Sequence, residues 1–201
     1  MADPAGLPGD LPLPSADFGT KVFSLVPPSQ LWVRIHLAKD GPLYFSRAEG
    51  SRWDCGNPFG AMCIAKTVPG AIMERFGDQM RADGFLLTGK KTIDFAVTRI
   101  TLDPQLPVID LRDDHLFKVG IDSRIFAGDY SVSRAYSAAL MSHPANAHGV
   151  LYNSRHDPSQ TNLVLFDRHD PRTWIHAGRT VRLRDSMAFW RTAADLRIAV
   201  V

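Results

Sequence analysis

Gly149-Val150-Leu151-Tyr152-Asn153-Ser154-Arg155-His156-Asp157-Pro158-Ser159-Gln160-Thr161-Asn162-Leu163-Val164-Leu165-Phe166 sets two apolar runs on either side of a polar turn. Each run is short and bounded by turn residues, so Gly149 to Tyr152 and Leu163 to Phe166 read as paired core strands joined through Asn153 to Thr161. Upstream, Leu31-Trp32-Val33-Arg34-Ile35-His36 alternates. Leu31, Val33 and Ile35 share one face of a strand, and Trp32, Arg34 and His36 share the other. A face carrying Trp, Arg and His together either lines a cleft or forms a solvated edge with Trp32 as cover. Ala61 to Ala65 is an apolar run suited to a buried strand. Further strands are predicted at Phe95 to Leu102, Val108 to Leu111 and Thr180 to Arg184, with Arg197 to Val201 closing the chain.

Helices are sparser. One opens at Thr67 or Pro69, carries Ile72, Met73 and Phe76, and holds Glu74 in its second turn; proline suits a helix start because its missing N–H has no intrahelical partner there. A second follows a cap at Asp129 or Ser131 and runs to about Ser142, and a third follows Asp185 or Ser186 and runs to about Leu196. Many short strands, few helices and no regular β-α-β rhythm predict an α+β domain. At 201 residues the chain suits one domain. Residues 1–17, rich in Pro, Gly and Ala near the start, read as a flexible arm, and 18–201 as the folded unit.

Composition excludes several functions. The hydrophobic fraction of 45% and charged fraction of 22% are ordinary for a globular protein. A net charge of +2 with no basic stripe or reading motif argues against direct nucleic-acid binding. No run approaches the roughly 20 apolar residues of a membrane helix. No signal peptide is visible, so the expected location is cytoplasmic. Cys55 and Cys63 match no zinc spacing and read as two reduced thiols. The histidines show no ligand spacing, His143 and His148 reading as loop residues, so no metal is expected. There is no G-x-S-x-G elbow and no glycine-rich phosphate loop. A nucleotide would have to be held by side chains.

What remains is an ordered series: Arg34 on the first strand; Gly50-Ser51-Arg52-Trp53-Asp54 in a loop; Ala61-Met62-Cys63-Ile64-Ala65; Ala71-Ile72-Met73-Glu74; and Gly149-Val150-Leu151-Tyr152-Asn153-Ser154-Arg155. Taken singly, a helical Glu is an ordinary solvated charge and Ser154 an ordinary turn residue beside Asp157-Pro158. In this order and spacing, over roughly residues 30 to 170, the series resembles the RES domain family, named for its Arg, Glu and Ser.

The resemblance implies an ADP-ribosyltransferase-like fold, NAD as substrate and no metal. It also implies a toxin of a toxin–antitoxin pair, with a partner antitoxin of the Xre-type helix-turn-helix class. Glu74, Arg34 and Ser154 fall at the family's catalytic positions. Cleavage of the nicotinamide–ribose bond passes through an oxocarbenium-like state, which a carboxylate such as Glu74 stabilises. Arg34 and Arg52 are the expected pyrophosphate donors, since guanidinium groups meet phosphate with paired hydrogen bonds. Ser154 is expected to bind the ribose or orient Glu74, and Trp53 to wall the pocket or sit in the core. Two positions depart from the pattern: Cys63 stands where the family commonly has Tyr, and Asp54 where it has Asn. Cys63 has no ring face to stack on nicotinamide, and Tyr44 is the residue expected to fill that gap. Three readings stay open: hydrolysis or phosphorolysis of NAD, mono-ADP-ribosyl transfer to a protein, and a non-catalytic binding module. An acidic or C-terminal segment of the antitoxin is expected to cover the arginines.

Overall fold

The computed structural model describes residues 11–56, 59–168 and 170–201. The strands are β1 (Leu25–Val26), β2 (Leu31–Leu37), β3 (Ala61–Ala65), β4 (Leu86–Leu87), β5 (Phe95–Leu102), β6 (Val108–Asp110), β7 (Gly149–Asn153), β8 (Thr161–Phe166), β9 (Ile175–Arg182) and β10 (Ala199–Val200). The helices are α1 (Val68–Ala82), α2 (Gly89–Asp94), α3 (His115–Lys118), α4 (Arg124–Ala127), α5 (Tyr130–Met141) and α6 (Met187–Asp195). Eight strands form one sheet in the order β1-β6-β7-β8-β3-β2-β5-β9; β6 and β7 are parallel and the other neighbours antiparallel. The fold is the expected α+β class, a single domain built on this mixed sheet.

The paired runs that opened the sequence reading form β7 and β8, with Leu151 opposite Leu163. One face of the sheet carries Val150, Tyr152, Val164 and Phe166 beneath α3, α4 and α5, and Val33, Ile35 and Ala65 beneath α1 and α6. The other face carries Trp32, Met62, Ile64, Leu163 and Leu165, sealed by Leu106, Trp174 and the loop residues Leu43 and Phe45. Both faces are therefore apolar, which is why these strands read as continuous hydrophobic runs. The possibility of a solvated edge at Leu31–His36 is overturned. β2 lies between β3 and β5, and Trp32 is 1% exposed.

Helix starts follow the cap chemistry. Thr67 Oγ1 accepts from the Gly70 N–H at 3.0 Å with Pro69 in the first turn of α1. Asp129 accepts from the Ser131 N–H at 2.6 Å before α5, and Ser186 from the Phe189 N–H at 3.2 Å before α6. Three expectations are corrected. The strand placed at Thr180 to Arg184 is β9, which ends at Arg182; Leu183–Asp185 is a turn of 3-10 helix. The closing strand is confined to Ala199–Val200, because Arg197 has φ 54° and redirects the chain onto β4 in a separate two-stranded sheet. Leu11, inside the stretch read as an arm, is buried in the core with Phe18 and Phe23. The rest of the arm, residues 1–10, lies outside the described residues.

The sheet ends on two unequal edges. β1 is two residues long; β9 is eight residues long, largely exposed, and carries Arg179 and Arg182. Its pairing with β5 shifts register between Thr98 and Ile100. Elsewhere the packing is tight. A Cβ placed on Gly149 would lie 2.1 Å from the Val164 carbonyl oxygen, a backbone atom that cannot step aside. Gly149→Ala should therefore force β7 from β8 and destabilise the domain by about 3 kcal/mol, read as a lower urea midpoint at unchanged slope.

Candidate functional site

β2 and β3 are sheet neighbours, yet among the described residues their register consists of one pair, Val33 opposite Ala65. Beyond it the strands part. Ser46, from the loop after β2, takes the place opposite Ala61, exchanging two main-chain hydrogen bonds of 2.9 Å with it. The split opens a cleft of about 370 Å³ between the Val33–Leu37 edge and the Ala61–Ala65 edge, roofed by Ala71, Glu74 and Arg75 of α1. A second lobe of about 170 Å³ adjoins it, lined by Arg52, Tyr130, Tyr152, Arg155 and His156. Gly50, Ser51, Glu74 and Arg75 line both lobes.

Glu74 stands at that junction. Its Oε1 accepts from Tyr152 Oη at 3.0 Å, and its Oε2 accepts from Asn162 Nδ2 at 2.6 Å. Burial raises the Glu74 pKa above its ordinary value, against the hydrogen bonds from Tyr152 and Cys63 and the positive charges of Arg155 and Arg52. Burial also pushes the Tyr152 phenol and the Cys63 thiol well above their ordinary values, so both keep their protons and Tyr152 remains a donor.

Arg52 lies in the smaller lobe. Its Nη1 donates to the Gly128 carbonyl and to Ser133 Oγ, both at 2.9 Å, and its guanidinium stacks on Tyr130 at 4.6 Å. Its Nη2 is buried without a partner among the described residues. Arg155 pairs with Asp78, one turn beyond Glu74, and His156 Nε2 lies 3.7 Å from the same carboxylate. The imidazole rests on α1 at Gly77, where a Cβ would stand 2.5 Å from Nε2.

Arg34 is used differently from a free phosphate donor. It is 8% exposed, and its two terminal nitrogens donate to the carbonyls of Pro42 at 2.5 Å and Tyr44 at 2.6 Å. Burial lowers its pKa to about 10, which leaves it cationic at neutral pH. It thereby pins the loop that carries Tyr44 into the larger lobe, where Tyr44 and Cys63 line one cavity. Trp53 is buried against Phe126 and Tyr152 and also borders the smaller lobe, so it is core and wall together. Ser154 is buried, and its Oγ accepts from the His156 N–H at 3.2 Å within its own turn. No hydrogen bond joins it to Glu74; Tyr152 and Asn162 make that contact instead. Asp54 is buried and accepts from Ser46 Oγ at 2.8 Å. His143 is buried rather than solvated, edge-on to Phe23 at 4.8 Å.

Tyr152 and Asn162 were given no role by sequence. The available signal was Asn162 itself, a polar residue abutting the apolar run Leu163–Phe166, which must find a partner when buried.

The profile of the RES domain family matches residues 31–185. The chain belongs to the RES domain family. The split sheet, Glu74 and the loop bearing Arg52 all fall within the matched residues. Among solved structures, a chain of the MbcT–MbcA toxin–antitoxin complex of M. tuberculosis is similar at a TM-score of 0.63 and 20% identity, covering 87% of this chain and 91% of that one. That likeness concerns the fold. No curated protein sequence matches the chain. Among the described residues no helix is long and apolar enough to cross a membrane.

The electrostatics of Glu74 carry a stability consequence. Because burial favours the protonated acid, ionisation of Glu74 weighs against folding at pH values above the carboxylate range and ceases to do so below it. Glu74→Gln removes that charge, and the unpartnered Asn162 Oδ1 is available to accept from the new amide. The variant should be more stable than wild type by about 1 kcal/mol at pH 7. The gain should shrink as pH falls through the folded-state pKa and vanish below the unfolded one, as followed by urea unfolding at several pH values.

Proposed function

We propose that this chain is the NAD-cleaving toxin of a toxin–antitoxin pair, acting in the cytoplasm. The observation that carries this reading is the half-buried Glu74 carboxylate, held by Tyr152 and Asn162 at the junction of two lobes. In this reading the larger lobe takes the nicotinamide end of NAD, walled by Tyr44 where Cys63 offers no ring. The smaller lobe takes the pyrophosphate, with the positive charges of Arg52 and Arg155 on its wall. Glu74 holds a ribose hydroxyl and faces the positive charge that develops at the anomeric carbon. The C1′–N bond breaks with its electron pair remaining on nicotinamide, whose ring nitrogen becomes neutral. Water or inorganic phosphate then forms the new C1′–O bond; an attacking water passes its proton to bulk solvent. Arg34 acts through the Tyr44 loop, and Ser154 through the turn that places Arg155 and His156.

Membership of the RES domain family and the fold shared with a chain of a toxin–antitoxin complex support the toxin assignment and an antitoxin partner, which we take to be of the Xre helix-turn-helix class. An acidic or C-terminal segment of that partner, laid in the cleft, would neutralise Arg52 and Arg155.

Expression of wild type should collapse cellular NAD and release nicotinamide, while Glu74→Ala at equal level should leave NAD untouched. Undiminished NAD with wild type would remove the reading. Incubation of lysate with biotinylated NAD separates the chemistries: label retained on protein would replace cleavage to water or phosphate with mono-ADP-ribosyl transfer. Failure of both, together with no NAD binding by calorimetry, would leave a non-catalytic module.

A further inference from the structure

Asn162, the second residue of β8, is wholly buried and extends its amide under α1 to Glu74 Oε2 at 2.6 Å. The orientation of that amide is set by its neighbour. Nδ2 faces the carboxylate, and Oδ1 is left buried with no partner among the described residues. Turning the amide over would press one acceptor oxygen against another at this distance, so an unsatisfied oxygen is tolerated in order to give Glu74 a donor. Tyr152 supplies the second donor from the adjacent strand, and Asn162 and Tyr152 face each other in register across β7 and β8. Glu74 is thus fastened from the sheet at both oxygens, although it belongs to a helix.

We propose that Asn162 is a positioning residue for Glu74: it fixes the rotation of the carboxylate and, by presenting only a donor, keeps that group an acceptor toward the ribose. This rests on the NAD-cleaving reading and deepens it. Tyr152 and Asn162 occupy one lone pair on each oxygen and the Cys63 thiol donates a weaker bond, which leaves acceptor capacity to meet hydroxyl groups in the cleft. Other charged or titratable groups around Glu74 are Cys63 of β3, Tyr152 of β7, Arg52 of the preceding loop, Arg155 after β7, and Arg75 and Asp78 on α1 itself. Among them Tyr152 and Cys63 also donate to the carboxylate, and Asn162 supplies the amide donor at Oε2.

The chain has only two glutamates, Glu49 and Glu74, so carboxyl ¹³C-glutamate labelling gives two resonances, assigned with Glu74→Gln. The titration of Glu74 is followed in wild type, Asn162→Ala, Asn162→Leu and Asn162→Asp, beside the pH profile of nicotinamide release. Loss of the donor should raise the Glu74 midpoint in the Ala and Leu variants. In Asn162→Asp two carboxyls face each other, and the midpoint should rise further. The acid limb of kcat should move with it, and kcat at neutral pH should fall roughly tenfold or more with KM nearly unchanged. Asn162→Asp is nearly isosteric and Asn162→Leu keeps the volume, so loss of one variant to misfolding leaves the test intact. Coincident Glu74 titrations and acid limbs in wild type and the folded variants would overturn the inference. A shifted titration in a wild-type protein that releases no nicotinamide would instead retain the Asn162–Glu74 coupling and remove the NAD reading.

Discussion

The pairing of Val33 with Ala65 is the constraint on which the rest of the site depends. It joins two halves of an otherwise continuous sheet, and the absence of further register beyond it creates the cleft. Splayed strands are costly because main-chain groups along both edges lose their partners. The loop after β2 recovers part of that cost: Ser46 bonds to Ala61, and Arg34 binds the carbonyls of Pro42 and Tyr44. The same parting lets residues from opposite faces of the sheet share one cavity. Arg34 lies on the face of Trp32, and Cys63 on the face covered by α1, yet both line the larger lobe.

Glu74 adds a second constraint. A carboxylate drawn into the wall of a cleft is unfavourable unless hydrogen-bonded, and the fold supplies neutral donors from neighbouring strands rather than a neutralising ion pair. A guanidinium in direct contact would have held the charge more strongly and would also have occupied the lone pairs that substrate needs. The neutral donors leave the carboxylate half-buried, oriented and chemically available. The arginines of the smaller lobe act on it through their charge alone, and Arg155 is itself engaged by Asp78.

Much of this was legible in the residues. The runs at Leu31–His36, Ala61–Ala65, Gly149–Tyr152 and Leu163–Phe166 are strands because both sheet faces are covered, and apolar runs are what such strands require. Caps at Thr67, Asp129 and Ser186 announced their helices. The short elements α2, α3, α4 and β4 were not foreseen, since segments of two to six residues have too few periodic positions to announce themselves. β9 was misplaced because it is exposed on both faces and shows no alternation. Within the cleft, the family resemblance had named Glu74 and Arg52 as candidates, and both line its walls. The engagement of Arg34 by loop carbonyls could not be foreseen, since it depends on where residues 42 and 44 return in space. Ser154 was offered by analogy to the ribose or to Glu74; geometry gives the contact with Glu74 to Tyr152, two residues earlier, and to Asn162 across the hairpin.

The unequal edges of the sheet bear on how copies of the chain behave in a crowded solution. A long edge strand is a template for stacking, and two such edges meeting would extend one molecule's hydrogen-bond ladder into the next. β1 is too short to offer much of a ladder. β9 is long enough, but its register shift distorts the strand, and its arginines would meet the same charges on an approaching copy. The fold can therefore hold its sheet open at the centre, where a ligand needs room, while its margins repel their own kind.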